Sequence, residues 1–256
     1  MKTKPYYTED NISLYVGDSI KILRKLPEKS VDVIFADPPY FLSNDGISVS
    51  SGKQVSVNKA EWDKGGKDIK VKHKFNRKWI KECYRVLKDD GTIWISGTLH
   101  NIYSVGMALE EEHFKILNNI TWRKLNPPPN LACRCFTHST ETVIWAKKDC
   151  KGNKHFFNYS LMKEMNGGKQ MKDVWEGSLT PKKEKNNGKH PTQKPLYLLE
   201  KIILASSKEG DVILDPFNGS GTTGVASKKL KRKYIGIDLD VEYIILTIKR
   251  LNELDN

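Results

Sequence analysis

Nowhere does the chain carry an apolar run near the roughly 18 residues of a membrane span, and its first ten residues are polar and charged. A soluble protein, neither exported nor membrane-anchored, is expected. Cysteine is scarce: Cys83, Cys133, Cys135 and Cys150 show no spacing that suggests a disulfide framework, so a reducing, cytoplasmic setting follows. A metal centre is equally thinly supported. Cys133 and Cys135 with His138 form an unusual C-x-C group that would need distant Cys150 as its fourth ligand, and no metal is expected. Acidic side chains are outnumbered, 31 Asp and Glu against 43 Lys and Arg in 256 residues, a formal charge of +12. Such a chain repels itself unless a polyanion or counterions are near. Nucleic acid is the natural partner, although charge alone leaves the matter open.

What is present is an alternation of strand and helix patterns. Strands are predicted over residues 12–16, 31–36, 92–96, 116–122, 142–146, 212–214 and 234–237, and helices over 19–26, 75–87, 102–112, 196–207, 222–229 and 241–254. Ser19 is positioned to cap the first helix, and Asp89-Asp90-Gly91 to turn the chain between helix and strand. Residues 31–36 are almost continuously apolar, as in a strand buried on both faces of a parallel sheet. Residues 41–74 have little periodicity and read as a mobile segment or lid. Residues 148–189, rich in Lys, Asn and Gly, break the rhythm and read as an inserted, surface-facing segment. The remainder, 1–147 and 190–256, then forms one doubly wound α/β domain.

The turn Asp215-Pro216-Phe217-Asn218-Gly219-Ser220-Gly221-Thr222-Thr223 joins a strand to a helix, and its glycines let backbone approach a ligand that a Cβ would hold away. The bland alternative is a plain strand-to-helix turn. Gly219, Gly221 and Gly224 also satisfy G-x-G-x-x-G, with Asp238 at the next strand's end, which admits an NAD-dependent oxidoreductase as a competing reading. Against it stands Asp215, whose carboxylate would face a pyrophosphate. A zwitterionic methionine tail tolerates both signs: Asp215 meets its ammonium, while amides and the Thr222 and Thr223 hydroxyls at the helix start meet its carboxylate. S-adenosylmethionine is therefore favoured over NAD.

Asp37-Pro38-Pro39-Tyr40 follows the buried strand. An aryl amine is a poor nucleophile because its lone pair is delocalised. A carboxylate such as Asp37 and a carbonyl such as that of Pro38 can accept both amine hydrogens and localise the pair. Two prolines keep the backbone extended and its carbonyl outward. Tyr40 offers a face on which an extruded base can stack, worth about 1–3 kcal/mol against a flipping cost of a few kcal/mol.

Asp37-Pro38-Pro39-Tyr40 early, His190-Pro191-Thr192-Gln193-Lys194-Pro195 before the late strand, and the glycine turn after it resemble in content and order the β-class DNA amino-methyltransferases. Residues 35–43, 94–106, 136–142 and 169–175 bring the likeness closer to the second adenine-N6 methyltransferase of Dpn-type GATC restriction-modification systems. The resemblance implies a permuted, seven-stranded, mostly parallel Rossmann-like methyltransferase sheet with an inserted target-recognition segment. It implies methyl transfer from S-adenosyl-L-methionine to adenine in GATC. Duplex DNA is the implied substrate, with single strands also admitted and a homodimer compatible. By the same likeness Asp18 sits by the cofactor's adenine and Asp238 holds the ribose hydroxyls. Asp37 serves both the amine and the methionine end, and Thr192, Gln193 and Lys194 close the site. Asp before Pro-Pro-Tyr suits adenine, since N4-cytosine relatives usually present Ser there; N4-cytosine methylation is the nearest alternative.

For DNA, Lys124, Arg134, Lys182, Lys183 and Lys185 are the favoured contacts, in or near the insertion. The run 228–233 lies after the cofactor helix and should be solvated at the opposite end of the sheet. Among six tryptophans only Trp62 is a fair base platform; the others should anchor the core.

Overall fold

A computed structural model describes residues 4–39, 47–50, 53–56, 68–150, 152, 154–188 and 190–255. The strands are β1 (Tyr7–Glu9), β2 (Ile12–Val16), β3 (Val31–Ala36), β4 (Ile47–Ser50), β5 (Lys53–Ser56), β6 (Leu87–Gly97), β7 (Phe114–Lys124), β8 (Thr140–Lys148), β9 (Val174–Gly177), β10 (Val212–Asp215) and β11 (Lys233–Asp238). The helices are α1 (Ser19–Leu23), α2 (Ile69–Val86), α3 (Ile102–Glu111), α4 (Tyr159–Met165), α5 (Leu196–Ser206), α6 (Thr222–Lys229) and α7 (Val241–Asn252). All strands but the β4–β5 hairpin join one sheet, ordered β1-β2-β11-β10-β3-β6-β8-β7-β9. From β2 to β6 the neighbours run parallel; β8 is antiparallel to both β6 and β7. The seven expected strands are the centre of this sheet, mostly parallel with one reversed member. Short β1 and β9 add an edge at each side.

The apolar pattern explains the layers. Along β3, Val33 and Phe35 face one side while Ile34 and Ala36 face the other, and on β6 Trp94 opposes Ile93 and Ile95 in the same way. One face is covered by α1, α2 and α3 through Leu23, Trp79, Ile80 and Leu109; the other by α4 to α7 through Met162, Leu199, Ile203, Val225 and Ile244. Trp79, Trp94, Trp122, Trp145 and Trp175 are core residues, as expected. Trp62 lies outside the described residues.

Four local expectations are corrected. Asp18, not Ser19, caps α1: its extended backbone lets the carboxylate accept from the Lys21 amide at 2.8 Å. Residues 89–91 do not leave the sheet. They are absorbed into β6 as a register shift, Val31 pairing with Leu87 but Val33 with Thr92. The helix expected from Phe75 begins at Ile69, inside the segment 41–74, where Ile47–Ser50 and Lys53–Ser56 also pair as a hairpin. The segment 148–189 is not merely surface-facing, for it buries Met162 of α4 and Trp175 of β9 in the core. Among the described residues no helix is long and apolar enough to cross a membrane.

Candidate active site

Because β2, β11, β10 and β3 are parallel neighbours, their carboxyl ends share one edge of the sheet. Each tip delivers an acid: Asp18 just after β2, Asp238 on β11, Asp215 on β10 and Asp37 just after β3. From β3 the chain crosses toward β6, while from β10 it crosses toward β11. A crevice therefore opens between these two strands, the place where open α/β sheets bind ligands. A cavity of about 340 Å³ occupies it.

Every predicted cofactor residue except Gly221 lines that cavity, as do Pro38 and Pro39. Tyr40 lies outside the described residues. Gly221, in left-handed backbone at φ 73°, faces away toward α7, where an added Cβ would come within 2.4 Å of Thr247. A Cβ on Gly224 would meet Tyr234 at 2.7 Å. Two of the three glycines of the apparent dinucleotide spacing thus serve packing, and only Gly219 borders the ligand space. An added Cβ there would lie 3.2 Å from His190 Nε2.

The electrostatics favour a ligand bearing positive charge. Among the described residues, four carboxylates and one lysine line the cavity. Asp215 accepts from the Phe217 amide at 3.0 Å and the Thr223 hydroxyl at 2.6 Å, yet burial pushes its carboxyl up to about 7, with Asp37 and Asp238 adding to the rise. Asp238 accepts from the Gly219 and Asp240 amides, and burial raises it to about 6. A pyrophosphate would add negative charge to this set. The ammonium and sulfonium of S-adenosylmethionine would relieve it, so the acids that border the cavity, Asp18, Asp37, Asp215 and Asp238, fit that molecule in charge.

This arrangement has a pH signature. The unfolded chain ionises both acids near 3.8, whereas the folded chain keeps their protons until about pH 6 and 7. Folded protein therefore holds more protons between those limits, and its stability falls as pH rises through the window. A cationic group bound against Asp215 reverses that protonation. Binding of S-adenosylmethionine should release protons and tighten between about pH 5.5 and 7, by up to about tenfold per unit for one proton. Titration calorimetry in buffers of differing ionisation enthalpy reads this directly; proton uptake, or affinity flat across the window, would contradict it.

Around Asp37 the structure adds Glu141 and Asn101, which sequence reasoning missed, and gives Lys194 and Lys124 buried partners it did not foresee. Lys194 Nζ lies 2.7 Å from Asp37 Oδ2 and 3.4 Å from Glu141 Oε2, while Lys124 Nζ lies 2.6 Å from Glu141 Oε1. Burial pushes the Glu141 carboxyl up, but the ammonium groups of Lys194 and Lys124 outweigh it and hold it below its ordinary value. Lys124 is thereby corrected as a DNA contact: its charge is committed to a buried carboxylate. On the other side Asn101 Nδ2 donates to the Pro39 carbonyl at 3.3 Å. Asn101 accepts in turn from Asn76, itself buried and bonded by the Trp79 indole. The available signal was Asn76, a polar residue on the apolar face of α2 between Phe75 and Trp79. Phe75, Asn218, Leu239 and Tyr243 also line the cavity and went unnoticed.

The other cationic candidates do not line the cavity. Arg134 is exposed on the loop between β7 and β8. Lys182 and Lys183 are exposed on a 3-10 turn, Lys182–Lys185, in which Lys185 is half-buried. That turn is tied to the cofactor-side motif by Glu184, which accepts from the Leu196 amide and, through its carbonyl, from Gln193. The run 228–233 lies at the other end of the sheet as expected, but it is not wholly solvated: Lys228 and Lys229 are in ion pairs and Arg232 is buried against Ser207.

A family model described as DNA methylase matches residues 31–249. The chain is 64% identical over 253 residues to the Type II methyltransferase M2.LlaDCHI of Lactococcus lactis subsp. cremoris, covering 99% of this chain and 94% of that one. It is 64% identical over 251 residues to the Type II methyltransferase M2.DpnII of Streptococcus pneumoniae, covering 98% and 93%. Among solved structures, the M1.HpyAVI–SAM complex matches with a TM-score of 0.68 and 30% identity over 94% of this chain and 99% of that one. The cytosine-N4-specific PvuII DNA methyltransferase matches with a TM-score of 0.75 at 21% identity, over 96% and 88%, a likeness of fold alone.

Proposed function

This chain belongs to the DNA methylase family, and from that premise we propose that it methylates the N6 amine of adenine in GATC, using S-adenosyl-L-methionine, as part of a restriction-modification system. The observation that carries the reading is the adjacency of two strand tips. β3 and β10 pair directly, so the Asp37 turn and the Asp215-to-Gly219 turn border one cavity.

When bound, the cofactor supplies a methyl group on an already activated sulfonium leaving group, so the protein's task is alignment and desolvation. Asp37 and the Pro38 carbonyl accept hydrogen bonds from the two amine hydrogens and so localise the nitrogen lone pair. Lys194 fixes one oxygen of Asp37, and Asn101 holds the Pro39 carbonyl, so that the acceptor pair is set before the base arrives. Asp215 and the backbone of the glycine turn hold the methionine end. Tyr40 stacks on the extruded base.

Asp rather than Ser before Pro-Pro-Tyr supports adenine over cytosine. Hydrolysis of DNA methylated by the protein, followed by mass spectrometry of the nucleosides, should give N6-methyladenine, and N4-methylcytosine as sole product would overturn the assignment. Residues 148–189 are assigned to target recognition, with Arg134, Lys182, Lys183 and Lys185 on phosphates. Single-stranded DNA as an additional substrate, a homodimer and a cytoplasmic setting follow from the resemblance and the four free cysteines. Strand-resolved methylation assays and sedimentation test the first two.

A further inference from the structure

One conspicuous side chain has no part in holding the cofactor or the target base. Phe136 is 96% exposed, more than any other large apolar residue described. Burying an aromatic ring is worth far more than leaving it in water, so a ring held out this far is suited to an external apolar surface. It sits on the loop joining β7 to β8. Because β7 is parallel to β6, and β6 to β3, this loop leaves the sheet at the edge that carries Asp37.

The loop is pinned at several points. Its legs are closed by the Lys124 amide donating to the Ser139 carbonyl at 2.7 Å, and one leg is tied across to β9 by Leu125 donating to Gly177. Prolines 127 to 129 stiffen the approach. Asn130 Nδ2 donates to the Cys135 carbonyl at 2.7 Å while its Oδ1 accepts from the Ala132 amide. One neighbour relates the loop to the catalytic turn. Glu141, where the loop returns to β8, reaches Asp37 through Lys194. Arg134 is exposed two residues before Phe136 and supplies a cation for phosphate.

We propose that Phe136 is a wedge that enters the base stack of duplex DNA and fills the gap left when the target adenine turns into the Asp37 pocket. The inference rests on the methyltransferase reading. Extruding a base loses its stacking and pairing, and a ring with two open faces restores stacking to the bases on either side. The ring acts on the duplex and touches neither methyl donor nor amine, so Phe136 is a positioning residue.

The test compares Phe136→Ala, Phe136→Trp and the unchanged protein on two duplexes: one fully paired, one with an abasic site opposite the target adenine, where less pairing must be broken. On the paired duplex Phe136→Ala should lose about five- to a hundredfold in kcat/KM, the range for one lost base–aromatic stack. On the abasic duplex it should recover to within about threefold of the unchanged protein. Phe136→Trp should stay near the unchanged protein on both, and affinity for S-adenosylmethionine should not move. Equal activity of Phe136→Ala and unchanged protein on the paired duplex overturns the wedge, as does equal impairment on both duplexes. A protein that methylates no adenine even unchanged sinks the underlying reading instead, so the two failures are distinguishable.

Discussion

Replacing Asp37 with alanine should lower the single-turnover rate of methyl transfer by about a thousandfold or more, the scale on which loss of one preorganised group at a reacting centre is felt. The amine is a poor nucleophile. Its lone pair is delocalised into the ring, and in the proposed mechanism Asp37, the one carboxylate of Asp37-Pro38-Pro39-Tyr40, is the group that localises it. Asn in its place keeps an acceptor but turns a donor toward the amine, so Asp37→Asn should be nearly as poor. The structure also says why the protein survives the change. Lys194, deprived of Asp37, still has Glu141 at 3.4 Å, so no buried cation is stranded. Affinity for S-adenosylmethionine should weaken by about tenfold, the value of one charge-assisted hydrogen bond, because Asp215 and the glycine turn remain. Rapid-quench transfer with saturating cofactor separates the two effects. An Asp37→Ala protein within tenfold of the unchanged rate would remove Asp37 from the chemistry.

The acids at the strand tips were legible in the sequence because parallel strands make position along the chain equivalent to position in space. Asp18, Asp37, Asp215 and Asp238 each follow a short apolar run, and four such runs in one parallel block must end on one edge. Gly221 looked like its neighbour Gly219 because spacing alone does not tell which glycine meets a ligand and which meets a helix. The charge chain of Lys124, Glu141 and Lys194 was illegible for a different reason. It joins β7, β8 and the segment before α5, and nothing local marks a lysine as buried until the strand that covers it is known. Trp175 shows the same limit: four residues of strand in a Lys- and Gly-rich stretch carry too short a pattern to announce an edge of the sheet. Asn76 was the exception, a polar residue in an apolar stripe whose partner, Asn101, lay on another element.

Gly221→Ala should cost about 2–5 kcal/mol of stability, combining the penalty of left-handed backbone for a residue with a Cβ and the overpacking of a filled contact. Gly221 caps α6 at φ 73°, and an added Cβ would sit 2.4 Å from both Cγ2 and Oγ1 of Thr247. Thr247 cannot readily yield. It is fully buried, accepts from Asn218 at 2.8 Å and donates to the Tyr243 carbonyl. Moving α7 as a whole would pull Arg250 from the Ser220 carbonyl at 2.6 Å and from the Thr222 hydroxyl. Those are the residues that shape the cofactor turn, so lost stability and weakened cofactor binding should appear together. At roughly 2–4 °C per kcal/mol for a chain of this size, the melting temperature should fall by about 5–20 °C. Gly167→Ala is the control. Its φ of 65° exacts the same backbone penalty, but nothing lies within 4 Å of the added Cβ. Subtracting one shift from the other leaves the contact with Thr247 alone, and equal shifts for the two variants would mean that α7 does not press on the glycine turn.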